Sequence, residues 1–432
     1  MYPVTEPAVR WSIQKKFITL FMACFFGLQF IEFIVGWGVF GEFVTQFLHW
    51  YSSAWEWLIK WTGKHILHLG YDITILPNGS GDTTYNYVQI FLYLVISFIF
   101  ATVYILIDRK RNSYRRFAYW LRVVMRYYLG YMLLVYGFIK VIKLQFPSPG
   151  LLKLVQPFGD SSPMGLAWTF IGYSSAYNIF IGGAEVLAGV LLFFKRTTLI
   201  GALLSIIVMG NVAAMNFAYD IPVKIFSVCL VIIGVYLASY DWIRLRNVFI
   251  LNQPAPAAEL KMPAQKKWKK IVQLSLKLIA IAFALYTTMW SSWTGRHEYG
   301  DLAPKPPLYG IYNVTTFVRG ADTIPPLLTD STRWRQMIIP YPGYAVIKNM
   351  RDSVEWMNAK IDTATHKIVL TDQKDSTKQY SFAYLKDAEE KYTFRGVLKG
   401  DTTQIIASRF DEKKFRLLSR GFNWVNEYPF NR

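Results

Sequence analysis

Residues 173–194 read YSSAYNIFIGGAEVLAGVLLFF. A run of this length with one ionisable side chain suffices for a helix across the roughly 30 Å hydrocarbon core of a bilayer. That side chain is Glu185, beside Gly182-Gly183-Ala184. Small residues there permit close approach of a neighbouring helix. A carboxylate at this depth is costly, so it should face the bundle interior or a wet cavity.

Working outward, six further segments read as membrane helices: Phe17–Phe40, Tyr87–Ile107, Phe117–Ile139, Thr198–Phe217, Ile221–Tyr240 and Ile271–Trp290. The first is too long for a cleavable signal core and is expected to remain as a span. Basic residues set the orientation. They cluster before the first span (Arg10, Lys15, Lys16), after the second (Arg109, Lys110, Arg111, Arg115, Arg116), after the fourth (Lys195, Arg196) and after the sixth (Arg244, Arg246, Lys261, Lys266, Lys267, Lys269, Lys270). Seven spans then place the N-terminus in the cytoplasm and the C-terminus outside. The expected location is a bacterial inner membrane with a periplasmic C-terminal domain.

Two outer loops are long. The first, Gly41–Asn86, carries Phe47, Trp50, Tyr51, Trp55, Trp57, Leu58 and Trp61, the pattern of an interfacial amphipathic helix. The second, Phe146–Gly172, holds Pro147, Pro149 and Pro163 with Leu151, Leu152, Leu154 and Leu166, and is expected to lie on the membrane or dip into it. After a flexible cytoplasmic linker at Asn252–Gln265, the character changes from about Ser291. Nine β-prone runs follow at roughly ten-residue spacing, from Tyr312–Arg319 to Thr403–Arg409 and Lys414–Arg420. They predict an antiparallel meander closing as a barrel or sandwich.

The expected architecture is therefore an α-helical polytopic membrane bundle plus a C-terminal antiparallel all-β domain. Its parts are a two-span region (1–114), a four-helix core (115–250), a linker (251–270), a last span (271–290) and the extracytoplasmic domain (291–432).

Composition agrees. The 432 residues are 53% hydrophobic and only 17% charged, low for a soluble domain. The net charge of +19 sits in loops beside apolar runs, so the bilayer is its partner, and no nucleic-acid motif accompanies it. Cys24 and Cys229 lie in apolar runs and read as packing residues. Without a CxxC, thiol–disulfide exchange by this chain is not expected. The chain contains no P-loop, GxSxG or HExxH, and no metal is expected. His49, His65 and His68 read as amphipathic surface.

Polar residues inside spans are the candidates for chemistry. Tyr136, Lys140 and Lys143 share a helix face near the outer end of the third span. The fourth begins outside with Tyr177 and Asn178, the fifth ends with Asn211, Asn216 and Asp220, and the sixth begins with Lys224. These converge on the outer half of the bundle, above Glu185. Glu185 and Lys140 are the candidate catalytic pair, and the others are candidate ligand-binding residues. Snorkelling lysines, an Asp220–Lys224 ion pair and interhelical asparagine bonds are the structural alternatives. Glu32, late in the first span, is a further acidic candidate.

The segment Arg115–Arg246 resembles the DoxX-like membrane family. The matching residues are Arg126 to Gly130-Tyr131, Tyr136-Gly137-Phe138-Ile139-Lys140, Gly182-Gly183-Ala184-Glu185-Val186-Leu187-Ala188-Gly189 and Lys195-Arg196-Thr197. The stretches from Leu76 to Thr84 and from Arg420 to Arg432 are similar to larger DoxX-type proteins of Bacteroidetes-like bacteria. The resemblance implies a four-helix module and association with thiosulfate–quinone oxidoreduction or a membrane redox complex. It leaves two readings open. One is a membrane subunit of a quinone-linked redox complex, with envelope or redox protein partners. The other is a non-enzymatic envelope scaffold, or a lipid- or polypeptide-binding protein, presenting an outer β domain.

Overall fold

The structure, a computed structural model, describes residues 10–36, 41–75, 79–257 and 267–431. The end of the first expected span at Phe40, residues 76–78 of the turn-rich motif, the side chain of Phe47, most of the linker and Arg432 lie outside the described residues. The chain forms two compact units. One comprises the residues up to Ile142 with Ala176–Ser292, the other Lys143–Ser175 with Trp293 to the end.

The first unit is helical. Each expected span falls on a helix: α1 (Ile13–Gly36), α3 (Thr84–Ile107), α4 (Arg115–Val141), α7 (Ser175–Leu192), α8 (Thr198–Ala218), α9 (Lys224–Ser239) and α11 (Lys267–Glu298). The aromatic loop expected outside holds α2 (Gly41–His65), and α10 (Trp242–Phe249) follows α9 at a bend of 81°. Among the described residues, four helices are long and apolar enough to cross a membrane, or five if α9 and α10 form one broken span. The four are α3, α7, α8 and Ile271–Glu298. A multi-pass membrane protein is the class these helices fit. Their outward faces are apolar, as at Phe98, Ile99, Ile207 and Phe283, which suits lipid rather than water. Helix α4 falls outside the four because Arg115, Arg116, Arg122, Arg126 and Lys140 punctuate it.

Thr83 starts α3 with a capping box: its hydroxyl accepts from Asn86 N–H, and Asn86 Oδ1 accepts from Thr83 N–H. Apolar residues of α1, α3, α4, α7, α8 and α9 share one core, including Phe26, Tyr93, Met125, Leu133, Leu192 and Ile233. Ile59 of α2 packs with Val88 and Leu92 of α3, while Trp50 and Trp57 face outward.

The second unit is a β-barrel with helices on its outer wall. Its strands are β1 (Gly310–Arg319), β2 (Asp322–Thr323), β3 (Trp334–Ile339), β4 (Tyr344–Asn349), β5 (Val354–Asp362), β6 (Lys367–Asp372), β7 (Gln379–Ala388), β8 (Lys391–Leu398) and β9 (Asp401–Phe410). All neighbours are antiparallel, and β9 returns to pair with β1 from Ile311↔Phe410 to Arg319↔Thr403. Eight strands thus close an up-and-down barrel, and β2 is a short spur on β1. Closure removes the exposed sheet edge. Inward positions are filled by Tyr312, Phe317, Trp334, Phe382 and Phe394. Arg333, 2% exposed, donates to the carbonyls of Ile324, Trp334 and Thr315 and seals one end. Lys399 and Gly400, both at positive φ, make the two-residue turn between β8 and β9.

Eight of the nine expected strands are present, and the ninth is corrected. Residues Lys414–Arg420 contain α12 (Arg416–Ser419) after a 3-10 turn at Glu412–Lys414. The closed sheet offers no edge for another strand, and Asp411 accepts from Lys413 N–H to turn the chain. The loop expected to lie on or dip into the membrane forms α5 (Leu151–Val155) and α6 (Pro163–Tyr173). Leu151 packs on Ile311, Ile338 and Val346 of the outer wall, and Asp301 accepts from Ser148 N–H at 3.0 Å and its hydroxyl at 2.8 Å.

Two predictions follow from this unit. A Cβ on Gly396 of β8 would collide with the carbonyl of Ser381 and the ring of Phe382 on β7. Gly396→Ala should therefore destabilise the barrel by about 1–3 kcal/mol, the usual cost of overpacking, measured as a shift in its denaturation midpoint. The second concerns acid. Backbone N–H donors of Thr332 and Arg333 hold the Asp330 carboxyl below the usual range, and Lys348 with Arg335 does the same for Asp352. A carboxyl lowered by folding stabilises the fold fully above its unfolded value of about 3.9, and that contribution is lost as pH falls through the folded value. Barrel stability should therefore decline below about pH 4, and Asp330→Asn should flatten the decline in denaturation curves recorded against pH.

Candidate functional site

Helices α4 and α7 touch backbone to backbone through two pairs of glycines. A Cβ on Gly182 would lie 2.7 Å from the Gly137 carbonyl oxygen, and one on Gly189 would lie 2.8 Å from that of Gly130. Each pair member is seven residues from the next on its own helix, so both fall on one face. The pairing of 130 with 189 and 137 with 182 runs antiparallel.

Lys140 and Glu185 sit on this seam, one turn beyond Gly137 and Gly182. The Lys140 ammonium donates to both Glu185 oxygens at 2.8 Å. Lys140 is 4% exposed and Glu185 1%. The Tyr136 ring lies beside the ammonium, 5.6 Å to its centroid, and contacts the Phe226 ring of α9. Asn178, fully buried, lies two turns before Glu185 on the same face of α7. Lys140, Glu185 and Tyr136 form one polar centre in which both charges are buried.

The remaining candidates lie elsewhere. Tyr177 is exposed and stacks on Phe180. Asn211 is exposed on α8. Asn216 is buried, and its amide donates to Ser227 Oγ at 3.1 Å and Val223 O at 3.3 Å, bridging α8 to α9. Lys224 pairs with Asp220 at 3.0 Å and lies 3.9 Å from Asp82. Asp82, read in the sequence only as part of a turn, accepts from Lys224 N–H at 2.7 Å and Ile225 N–H at 3.0 Å. It thus caps the start of α9 from a segment 142 residues away, a partnership without local signature. Glu32 of α1 accepts from Gln89 at 2.9 Å and Tyr93 at 3.1 Å on α3.

These features define a class: a membrane-type helical unit with a buried ammonium–carboxylate pair, followed in sequence by a closed eight-stranded barrel. The chain belongs to the same family as the uncharacterized protein YwoB of Bacillus subtilis (strain 168). It is 33% identical to that protein over 127 residues, which is 29% of this chain and 79% of YwoB. No family model matches the chain. No solved structure matches it.

Removing one charge strands the other in a dry seam. Glu185→Leu or Lys140→Met alone should destabilise the helical unit by about 3–5 kcal/mol, whereas Lys140→Met/Glu185→Leu together should recover most of that loss. Thermal unfolding of the four proteins in detergent completes the double-mutant cycle.

Proposed function

We propose that this chain is a DoxX-like integral membrane protein of a bacterial inner membrane, with seven spans, a cytoplasmic N-terminus and a periplasmic barrel. In this reading it is the membrane subunit of a quinone-linked redox complex, and the Lys140–Glu185 centre is its polar site. The observation that carries the proposal is that pair, buried between helices in backbone contact.

The residues fit a carbonyl-bearing ring. An ammonium has three N–H donors. Glu185 accepts two of them, which leaves one for a ligand oxygen. The Tyr136 and Phe226 rings, tilted 47° to each other, supply aromatic surface beside it. A bound quinone supplies two-electron, two-proton chemistry, with electrons passed from a partner protein. Lys140 orients the ligand by hydrogen bonding, and Glu185 holds or delivers a proton at its carboxylate. Burial of both side chains keeps bulk water from the exchange.

The second reading is a non-enzymatic envelope scaffold, or a lipid- or polypeptide-binding protein, displaying the barrel. The observation favouring it is that Lys140 and Glu185 satisfy each other at 2.8 Å. Quinone analysis separates the two. Protein purified in mild detergent should carry quinone, and a short-chain quinone analogue should bind. Binding should fall at least about tenfold, or 1.4 kcal/mol, in the folded Lys140→Met/Glu185→Leu variant. Wild-type protein that neither carries quinone nor binds the analogue leaves the scaffold reading.

A further inference from the structure

Helix α6 has two faces. Ala167 and Ile171 are buried, and Trp168 packs edge-on against Phe146 at 5.0 Å. Leu166, Phe170 and Tyr173, at i, i+4 and i+7, form an outward apolar stripe, with Phe170 66% exposed. One residue, Ser174, separates α6 from α7, one of the four membrane-capable helices. The end of the stripe is therefore fixed by the chain at the mouth of a span.

The tail after the barrel begins at the same place. The Tyr173 hydroxyl donates to the Arg420 carbonyl at 3.1 Å. The Arg420 guanidinium lies over the Phe430 ring at 4.3 Å and bonds Asn426, which folds the tail back on itself. Its remaining aromatics point outward. Trp424 is 91% exposed, Tyr428 85% and Phe422 79%. Just upstream, Lys413, Lys414 and Arg416 are exposed. Strand direction gives the barrel two ends. β1 starts, β3 ends and β9 ends at the end from which the tail leaves, and the β6–β7 and β8–β9 turns lie at the other.

From this geometry we propose that α6 and the tail 411–431 form an interfacial membrane anchor. It seats the barrel, tail end down, on the headgroup layer of an anionic bilayer. Trp and Tyr prefer that layer, and lysine and arginine are drawn to anionic lipid. No soluble occupant is needed, because the stripe and the tail meet within one residue of where α7 starts. The inference rests on the reading of α7 as a membrane span.

The test uses the full chain in nanodiscs of phosphatidylcholine and phosphatidylglycerol, on a Cys24→Ser/Cys229→Ser background. An environment-sensitive fluorophore is placed singly by Trp424→Cys, by Lys374→Cys in the β6–β7 turn, and by Phe98→Cys on the outward face of α3. The label at 424 should emit to the blue of the label at 374, and headgroup-attached nitroxide should quench it at least about twice as strongly. Lys413→Glu/Lys414→Glu/Arg416→Glu should remove that difference. A label at 98 quenched by acyl-chain nitroxide, alongside a label at 424 quenched only by aqueous iodide, overturns the anchor while leaving the membrane reading intact. A label at 424 shielded from both quenchers overturns it in favour of packing against protein surface of this chain or a second copy. A label at 98 beyond the reach of lipid nitroxide overturns both readings.

Discussion

Two helices whose backbones touch can hold only one register, and that constraint governs the helical unit. Gly137 meets Gly182, and Gly130 meets Gly189, with no side chain between them. Sliding α7 by one turn, about 5.4 Å, would drive Cβ atoms into both contacts. The same slide would part Lys140 from Glu185 and leave two charges unpaired away from water. Steric fit and electrostatics therefore specify one alignment. Buried pairs contribute little net stability compared with apolar replacements, but setting register is their best-attested use.

The barrel solves a different problem. β1 is shared along its length, with β9 on one side and first β3, then β2, on the other. That arrangement closes the sheet and leaves the interior to aromatic packing. Further packing is displaced to the outer wall, where Leu151, Phe410 and Phe415 cover Ile311, Ile338 and Val346. Residues that alternate in and out elsewhere are thus apolar on both sides here, as the run Ile338-Ile339 shows.

Much of this could be read from the sequence. Every expected span falls on a helix because long apolar runs have few other solutions, and β-prone runs at roughly ten-residue spacing located eight strands. Glu185, Lys140 and Tyr136 stood out because charge and small residues coincide in apolar sequence. The capping role of Asp82 and the link from Tyr173 to Arg420 join residues far apart in the chain, so local pattern carried no trace of either. Helices α5 and α6 were hidden by prolines, although Pro163 follows the cap residue Ser162, whose hydroxyl accepts from Gly165 N–H. Lys414–Arg420 looked like a strand by composition, yet the barrel had already closed.

The closed pair bears on how any ligand could reach it. Both charges lie on the face where the glycines bring α4 and α7 together, so the seam cannot widen locally without losing the contacts that define it. A ligand oxygen must then approach along the remaining ammonium N–H, past Tyr136, whose ring meets Phe226 on α9. Rotating two aromatic side chains is far less costly than separating two packed helices. In the proposed ligand-binding reading, the route into the centre therefore runs between α4 and α9 rather than between α4 and α7. On this view the glycine seam is a rigid back wall and the aromatic pair the adjustable side of the site.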